Sequence, residues 1–455
     1  MENGHAEAEF DGSASATAPT DARPRRSSPP GVSTSRRAGL VLIFPNRPDE
    51  APPVWRVAHS VSVGRTREAD VQLDDTRVSR RHASVEPAPG ALLVRDGGSR
   101  HGTFVNGDAV AAEGTPASAG DVVRIGDALL LVVEDVERFR ARPRRYDAGR
   151  LGFAETMLAG PLLAEVWDEA SRASALRDPV LILGESGSGK ECVARILHTA
   201  RAELGPFVAL NASAIPEPLF EAELFGHERG AFTGASQARL GAFREAQNGI
   251  LFLDEVGELK LDLQAKLLRA LDHGSVRPLG AKGDVTVNAR VVSATSRDLK
   301  QACEAGDFRA DLYYRLSGLV IRVPPLRERP DDIILLTLQV LRERSARLIL
   351  SADAAEALVR ARWEGNARQL RHAVAQAANL ALSRAEDIVR FDHLPELVPL
   401  GHDADGLTLE RIQGALARSA GVVAHAARAL GVSRTTFYKA LKRLDPASAL
   451  PVSKK

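Results

Sequence analysis

The stretch PVLILGESGSGKE, residues 179–191, decides how the centre of this chain folds. Its first half is a short apolar run of the kind a buried strand needs, and the following CVARILHTA has helical periodicity. Between them, Gly184, Glu185, Ser186, Gly187, Ser188, Gly189 and Lys190 keep the spacing of a phosphate-binding loop set between strand and helix. Glycines let successive backbone N–H groups converge on one anion, and the helix that follows points its positive end at the same place. Lys190 then bridges the β- and γ-phosphates of a nucleotide. One residue departs from the common pattern: Glu191 stands where a Ser or Thr magnesium ligand is usual.

Downstream, the apolar run GILFLDE ends in Asp254 and Glu255. An acid at such a strand end holds Mg2+ in nucleotide-hydrolysing folds, and its neighbour polarises the attacking water. Two acids there are otherwise ordinary solvated loop charges, and it is the phosphate loop before them that favours the catalytic reading. ARVVSAT is a further buried strand, so the alternation of strand and helix predicts an α/β domain on a parallel sheet. Beyond Pro324 and Pro325 the pattern turns helical, in DDIILLTLQVLRERSARL and ARQLRHAVAQAANLAL. Arg309 and Arg315 in DFRADLYYRL are candidate cations for the γ-phosphate, although alone they read equally as helix-surface arginines. Arg368 in WEGNARQL is a candidate nucleotide sensor within the same subunit.

A chain of 455 residues exceeds what one core usually serves, which predicts several domains. The formal net charge is +1, so any nucleic-acid partner must be held by a local patch. Cys192 and Cys303, the only cysteines, have neither disulfide nor metal-ligand spacing and fit a reducing cytosol. The first residues lack the pattern of a signal peptide, and no apolar stretch is long enough to span a bilayer; a cytoplasmic protein without a membrane partner is expected.

Residues 1–38, rich in Ala, Ser, Thr, Pro and Arg, are expected to be a disordered tail. From residue 39 to 135, LVLIF, VWRV, HSVSVG, ALLVRD and DALLLVV are short strands between turn residues and predict an all-β sandwich. A basic stretch with Pro143 inside it reads as a linker over 136–152. Near the other end, Leu409, Ile412 and Leu416 share one helical face, and Phe437, Leu441 and Leu444 another. A turn at Gly431 and an N-cap at Ser433 give helix-turn-helix spacing. The last helix offers Arg434, Thr435, Thr436, Tyr438, Lys439 and Lys442 to phosphates and base edges, while the pattern alone also allows a small packing module.

The motifs GESGSGKE, FVALNASAI, ELFGHERGAFTGA, GILFLDEVGEL, FRADLYYRL, VPPLRERPDDI and WEGNARQL together resemble the central AAA+ domain of the sigma-54-dependent transcription activators, the bacterial enhancer-binding proteins. That family itself carries Glu after the P-loop Lys, so Glu191 fits the resemblance. It implies ATP binding by residues 184–191 with Thr295 and Arg368, Mg2+ on Asp254, and water activation by Glu255. It implies further that Asn211 pairs with Glu255 as a switch, and that Arg309 and Arg315 act across a subunit boundary in a ring, a hexamer. Gly230, Ala231, Phe232, Thr233, Gly234 and Ala235 match the loop that engages sigma-54; from chemistry alone Phe232 reads equally as a core or a contact residue. Ser296, Glu364, Gln369 and Ser317 replace a usual Asn, Pro, Glu and Asn.

The β-rich segment resembles a forkhead-associated (FHA) domain at Gly64-Arg65, Ser79-Arg80-Arg81-His82, Gly102-Thr103 and Asn106-Gly107. This implies phosphothreonine recognition by Arg65 and Ser79, then Arg80 and Arg100, with His101 standing where an Asn is common. AARALGVSRTTFYKALKRL resembles a Fis-type helix-turn-helix, which implies DNA contacts from Ser433 and the last-helix residues named above. The expected architecture is an FHA sandwich at 39–135, an AAA+ α/β subdomain at 153–325 and a helical lid at 326–398. A linker at 399–406, the helix-turn-helix at 407–446 and a tail at 447–455 follow. The expected function is ATP-driven remodelling of sigma-54 RNA polymerase from upstream enhancer DNA, gated by a phosphothreonine protein. A non-hydrolysing DNA-binding repressor and a phosphopeptide scaffold are the alternatives.

Overall fold

The structure, a computed structural model, describes residues 37–45, 50–146, 157–201, 205–232, 235–397 and 409–418, together with Val423, Ala426, Phe437 and Leu441. The expected linker at 399–406, the tail at 447–455 and the first 36 residues lie outside that set. Among the described residues no helix is long and apolar enough to cross a membrane.

The first domain is a β-sandwich, as the strand-and-turn texture predicts. One sheet orders its strands Val54–Arg56, Gly39–Phe44, Ala128–Val133, Val122–Ile125, Thr103–Val105 and Asp108–Ala109. The other orders Val71–Gln72, Val61–Gly64, Ala83–Ala88, Ala91–Asp96 and Thr115–Ala117. Strand Ala128–Val133 is apolar and buried at every position, which a sandwich with one wet face does not require. Its alternate residues have different neighbours. Leu130 and Val132 pack into the sandwich with Leu40, whereas Leu129, Leu131 and Val133 join Val41 and Ile43 on the outer face. That outer face lies against Ile333, Ile334, Leu358 and Val359 of the helical lid. Each such side chain contributes about 1.5–3 kcal/mol on burial, so apolar packing dominates this contact.

The stretch read as a linker carries ordered pieces. A 3-10 turn covers Val136–Phe139, capped by the Asp135 carboxylate, which accepts from the Glu137 amide at 3.0 Å. Strand Arg144–Tyr146 then pairs antiparallel with Met157–Ala159. Burial of Val136 and a fork of Arg138 on Glu165, at 2.6 Å to each carboxylate oxygen, hold it. Residues 147–156 lie outside the described set.

The central domain is a five-stranded parallel sheet ordered Phe207–Asn211, Ile250–Asp254, Arg290–Thr295, Val180–Leu183 and Leu319–Arg322. Its central strands are buried on both faces: Ile250 and Phe252 meet helices Pro161–Ala173 and Lys190–Thr199, while Leu251 and Leu253 meet the opposite layer around Phe225 and Leu267. This explains why GILFLD reads as a continuous apolar run. The lid follows, built from helices Pro330–Arg344, Ala352–Val359 and Asn366–Ser383. At the far end, helix Leu409–Arg418 contributes Ile412 and Ala415 to a small core with Ala426, Phe437 and Leu441.

Candidate functional site

Residues 184–189 leave strand Val180–Leu183 and enter helix Lys190–Thr199. Gly187 and Gly189 have φ of 72° and 110°, a region that side chains seldom adopt. Gly187 is further constrained, since a Cβ there would sit 2.3 Å from the Gly365 carbonyl oxygen of the lid. Lys190 is 6% exposed, and its ammonium donates to the carbonyls of Gly184 at 3.0 Å and Glu185 at 3.3 Å. It also donates to Oε1 of Glu255 at 3.0 Å. Glu191 turns away from this centre and accepts from Nε and Nη2 of Arg195 at 2.9 and 2.7 Å.

Glu255 follows the end of the strand with a φ of 53°, a strain of about 1–3 kcal/mol for a non-glycine residue. Its surroundings fix it there: the amide and hydroxyl of Ser296 both donate to Oε2 at 3.0 Å, and Lys190 holds Oε1. Burial pushes the Glu255 carboxyl up, yet Ser296 and Lys190 together outweigh it and leave the group below the usual Glu range. Asp254 shifts the other way, raised by burial and by the charge of Glu255.

Asn211 does not pair with Glu255 as expected. Its Nδ2 donates to Oδ2 of Asp254 at 3.0 Å. The cause is register: Asn211 and Asp254 are direct partners on adjacent parallel strands, while Glu255 turns beyond the strand end toward Lys190 and Ser296. Thr295 is fully buried opposite Leu183, and its carbonyl accepts from the Gly184 amide at 3.2 Å. Arg368, exposed at the start of the lid helix Asn366–Ser383, reaches Oγ of Ser186 at 3.4 Å. Arg309 and Arg315 are not drawn in: Arg309 pairs with Asp311, and Arg315 with Asp272 and the Leu271 carbonyl.

Among the described residues no group of three or more His, Cys, Asp or Glu is built to hold a metal by itself. The donor set does fit Mg2+, which binds one or two carboxylates together with substrate phosphates. Asp254 at the strand end is a carboxylate of that kind, while Glu255 beside it is taken up by Lys190 and Ser296.

A second surface surrounds Phe232, which is 38% exposed and edge-on to His227 with ring centroids 5.0 Å apart. The Gly230 amide donates to the Ala235 carbonyl at 2.8 Å, closing the loop at its base, and Gly230 has a φ of 82°. The neighbouring hairpin touches it: the Glu228 amide donates to the Leu279 carbonyl, and Gly280 faces Ala231. Thr233 and Gly234 lie outside the described residues.

At one end of the sandwich, the Arg65 amide donates to the Ser79 carbonyl at 3.1 Å, and the Arg100 amide donates to Oγ of Ser79 at 3.3 Å. Fully buried His82 joins these loops. Its Nδ1 accepts from the Ser79 amide at 3.0 Å, so its Nε2 is the protonated nitrogen and donates to the Gly102 carbonyl at 3.2 Å. Gly64 admits no side chain, since a Cβ would lie 2.1 Å from the Arg80 carbonyl oxygen. Arg65, Arg80 and Arg100 are exposed and Ser79 is half-buried. Ser433, Arg434, Thr435, Thr436, Tyr438, Lys439 and Lys442 all lie outside the described residues.

The sequence matches four families: an FHA domain over residues 61–126, a sigma-54 interaction domain over 157–322, an AAA+ ATPase lid domain over 327–406, and a Fis-family bacterial regulatory protein over 409–444. It is 38% identical over 343 residues to the anaerobic nitric oxide reductase transcription regulator NorR of Salmonella arizonae, covering 69% of this chain and 68% of that protein. The chain belongs to the sigma-54-dependent transcription regulators. It is also 41% identical to the transcriptional regulatory protein GlrR of Escherichia coli over 62% of this chain and 66% of that one. The chain thus spans just under two thirds of the GlrR regulator, and 58% of the nitric oxide reductase transcription regulator NorR2 of Cupriavidus necator. Among solved structures, NtrX from Brucella abortus in complex with ATP is similar at 31% identity, covering 62% of this chain and 68% of that one, with a TM-score of 0.48.

In this sigma-54-dependent regulator, residues whose place at the site has no signature in the sequence lie at the border of P-loop and lid. Arg327 forks onto Glu185 at 2.7 and 2.8 Å, and Asn366 and Arg329 bond to loop carbonyls. RERP and GNAR are visible in the sequence, but nothing in their spacing says that they meet a loop some 140 to 180 residues earlier. Ser296 was visible only as a departure from the family Asn, and its hydroxyl proves to hold Glu255.

Proposed function

We propose that this protein is a cytoplasmic ATPase that binds ATP at residues 184–191 and hydrolyses it to remodel sigma-54 RNA polymerase for open-complex formation. The observation that carries this reading is the meeting of Lys190, Asp254 and Glu255 at one strand end, with Arg368 reaching over from the lid. Lys190 leaves Glu255 to take the β- and γ-phosphates. Glu255, still bonded to Ser296, then accepts a proton from the attacking water. Asn211 orients the Asp254 carboxylate toward the phosphates. Asp254 would hold Mg2+, which would supply positive charge against that developing on the phosphate oxygens. Thr295 fixes the Gly184 end of the loop, and Arg368 senses the nucleotide from the lid.

Arg309 and Arg315 lie on the surface, each bonded to a surface acid. Their role is to complete a neighbour's site in a ring, a hexamer. Gly230, Ala231, Phe232, Thr233, Gly234 and Ala235 form the loop that presses on sigma-54, and an exposed Phe on a glycine-flanked base supports this. Arg65, Ser79, Arg80 and Arg100 read a phosphothreonine protein that gates activity, in keeping with four groups at one exposed end of a sandwich. Ser433, Arg434, Thr435, Thr436, Tyr438, Lys439 and Lys442 contact upstream enhancer DNA.

Thr233→Ala tests the assignment. The full-length variant is expected to hydrolyse ATP at the wild-type rate while failing to support open-complex formation on a sigma-54 promoter. Normal transcription would sink the loop assignment. A wild-type chain without ATPase activity would instead favour a DNA-binding repressor or a phosphopeptide scaffold.

A further inference from the structure

Three consecutive carbonyls of the P-loop are each tied to a donor from the segment that leads into the lid or from the lid itself. Nδ2 of Asn366 donates to the Ser186 carbonyl at 3.1 Å, the Ala367 amide to the Gly187 carbonyl at 3.0 Å, and Nη2 of Arg329 to the Ser188 carbonyl at 2.7 Å. A trans peptide is planar, with its N–H opposite its C=O. Holding these three oxygens on the lid side therefore turns the amides of Gly187, Ser188 and Gly189 toward the inside of the loop. The Ser188 amide meets the Glu185 carbonyl there at 3.2 Å, the same oxygen that Lys190 reaches.

The two side chains that do this are built in. Asn366 is fully buried with a φ of 51°, a conformation that Asn tolerates better than most residues. Its Oδ1 accepts from the Leu326 amide at 2.8 Å, which fixes the direction of its Nδ2. Nδ2 also meets Oε2 of Glu185 at 3.1 Å. Arg329 is 3% exposed, and its Nη1 donates to Oδ2 of Asp332 at 3.1 Å. Asp332 in turn accepts from the Gly160 amide at 2.6 Å, so the guanidinium is braced from behind.

We propose that Asn366 and Arg329 are positioning residues for the triphosphate. They set the peptide planes of the P-loop, so its amides face phosphate only while the lid is seated. Phosphate grip and lid position are then one state, and a lid that swings away releases the nucleotide by letting the loop carbonyls turn inward. The inference rests on residues 184–191 being the ATP site.

The experiment uses the full chain and titrates ATP and ADP while following apo thermal stability and ATPase kinetics. Asn366→Asp keeps the backbone preference and the acceptor for Leu326 but removes both donors. Arg329→Lys keeps a cation for Asp332 but cannot fork to Ser188 as well. Each is expected to weaken ATP binding about tenfold, the change that loss of one such hydrogen bond carries, with KM rising more than kcat falls. Arg384→Gln, at the far end of the same lid helix, should leave both unchanged. A fall in apo melting temperature with wild-type ATP affinity in the folded protein would make the two residues merely structural and overturn the proposal. Should Asn366→Asp not fold, Arg329→Lys decides by the same criteria. Absence of ATP binding in the wild-type chain would instead defeat the assignment of the site.

Discussion

Lys190 and Glu255 bond to each other at 3.0 Å across 65 residues of sequence, so the cation proposed for the phosphates and the base proposed for the water are direct partners. The pair keeps both charges in a part-buried site where either alone would be costly. Glu255→Gln preserves size and hydrogen bonding to Lys190 but has no basic oxygen. ATP affinity is expected to stay within a few-fold of wild type while kcat drops by about a hundredfold or more, the range of general-base catalysis. Equilibrium binding together with a steady-state phosphate-release assay measures both.

Ser296 makes a separate prediction through pH. Its amide and hydroxyl act together with Lys190 to hold Glu255 below the usual Glu range against the upward push of burial. Ser296→Ala removes the hydroxyl and keeps the amide. The pKa of Glu255 should therefore rise, and the acidic limb of the kcat–pH profile should move to higher pH. An unchanged acidic limb would show that Glu255 is not the titrating base.

Much of this site was legible in the sequence because its parts are local. Residues 184–190 carry their own strand, turn and helix, and Asp254 and Glu255 end an apolar run that only a doubly buried strand explains. The Asp254 partner of Asn211 was not legible, because the choice between Asp254 and Glu255 depends on strand register, which spacing does not encode. The docking of the sandwich on the lid was foreshadowed by the unbroken ALLLVV, yet an apolar outer face does not name what covers it. Asn366 and Arg329 were invisible as site residues because they act on backbone carbonyls, which have no side-chain signature.

Asp331 and Asp332 make stability depend on pH. Burial raises the Asp331 carboxyl, and the neighbouring Asp332 charge raises it further, with Arg329 only partly opposing. A raised folded-state value means that the folded protein holds this proton more tightly than the unfolded chain does. The associated stability is present below the unfolded carboxylate range and is lost as pH rises through the folded value. Asp331→Asn is neutral at every pH, so it should raise the melting temperature at pH 8 by a few degrees and change it little at pH 4. Calorimetry at the two pH values measures the difference, and equal effects at both would contradict the burial argument.

The sandwich loops give a prediction about recognition. Arg65 is exposed, with its amide tied to the Ser79 carbonyl, so its side chain can be changed without breaking that loop contact. Arg65→Ala should abolish binding of a phosphothreonine peptide, leave melting unchanged and leave the unphosphorylated peptide as weak as before. His82→Ala should lose binding by another route, since it removes the bonds to Ser79 and Gly102 inside a fully buried position and lowers stability as well. Calorimetric titration beside thermal melts separates the two behaviours.

Arg124 and Glu356 link the sandwich to the lid by a bond of 2.7 Å, with side chains 24% and 11% exposed. The guanidinium also lies 3.9 Å from the Phe104 ring centre, so it is held by stacking as well as charge. Removing one partner strands the other among apolar residues, at a cost below the roughly 3–5 kcal/mol of a fully buried pair because some water still reaches both. Arg124→Glu should lower the melting temperature and raise proteolytic cleavage between the sandwich and the central domain. The double variant Arg124→Glu with Glu356→Arg should recover part of the loss, which a mutant cycle reads directly. Because the same lid also carries Asn366, which bonds to the P-loop, the single variant is expected to weaken ATP binding as well. An interface that broke without any change in nucleotide binding would show that the sandwich rides on the lid as a passenger.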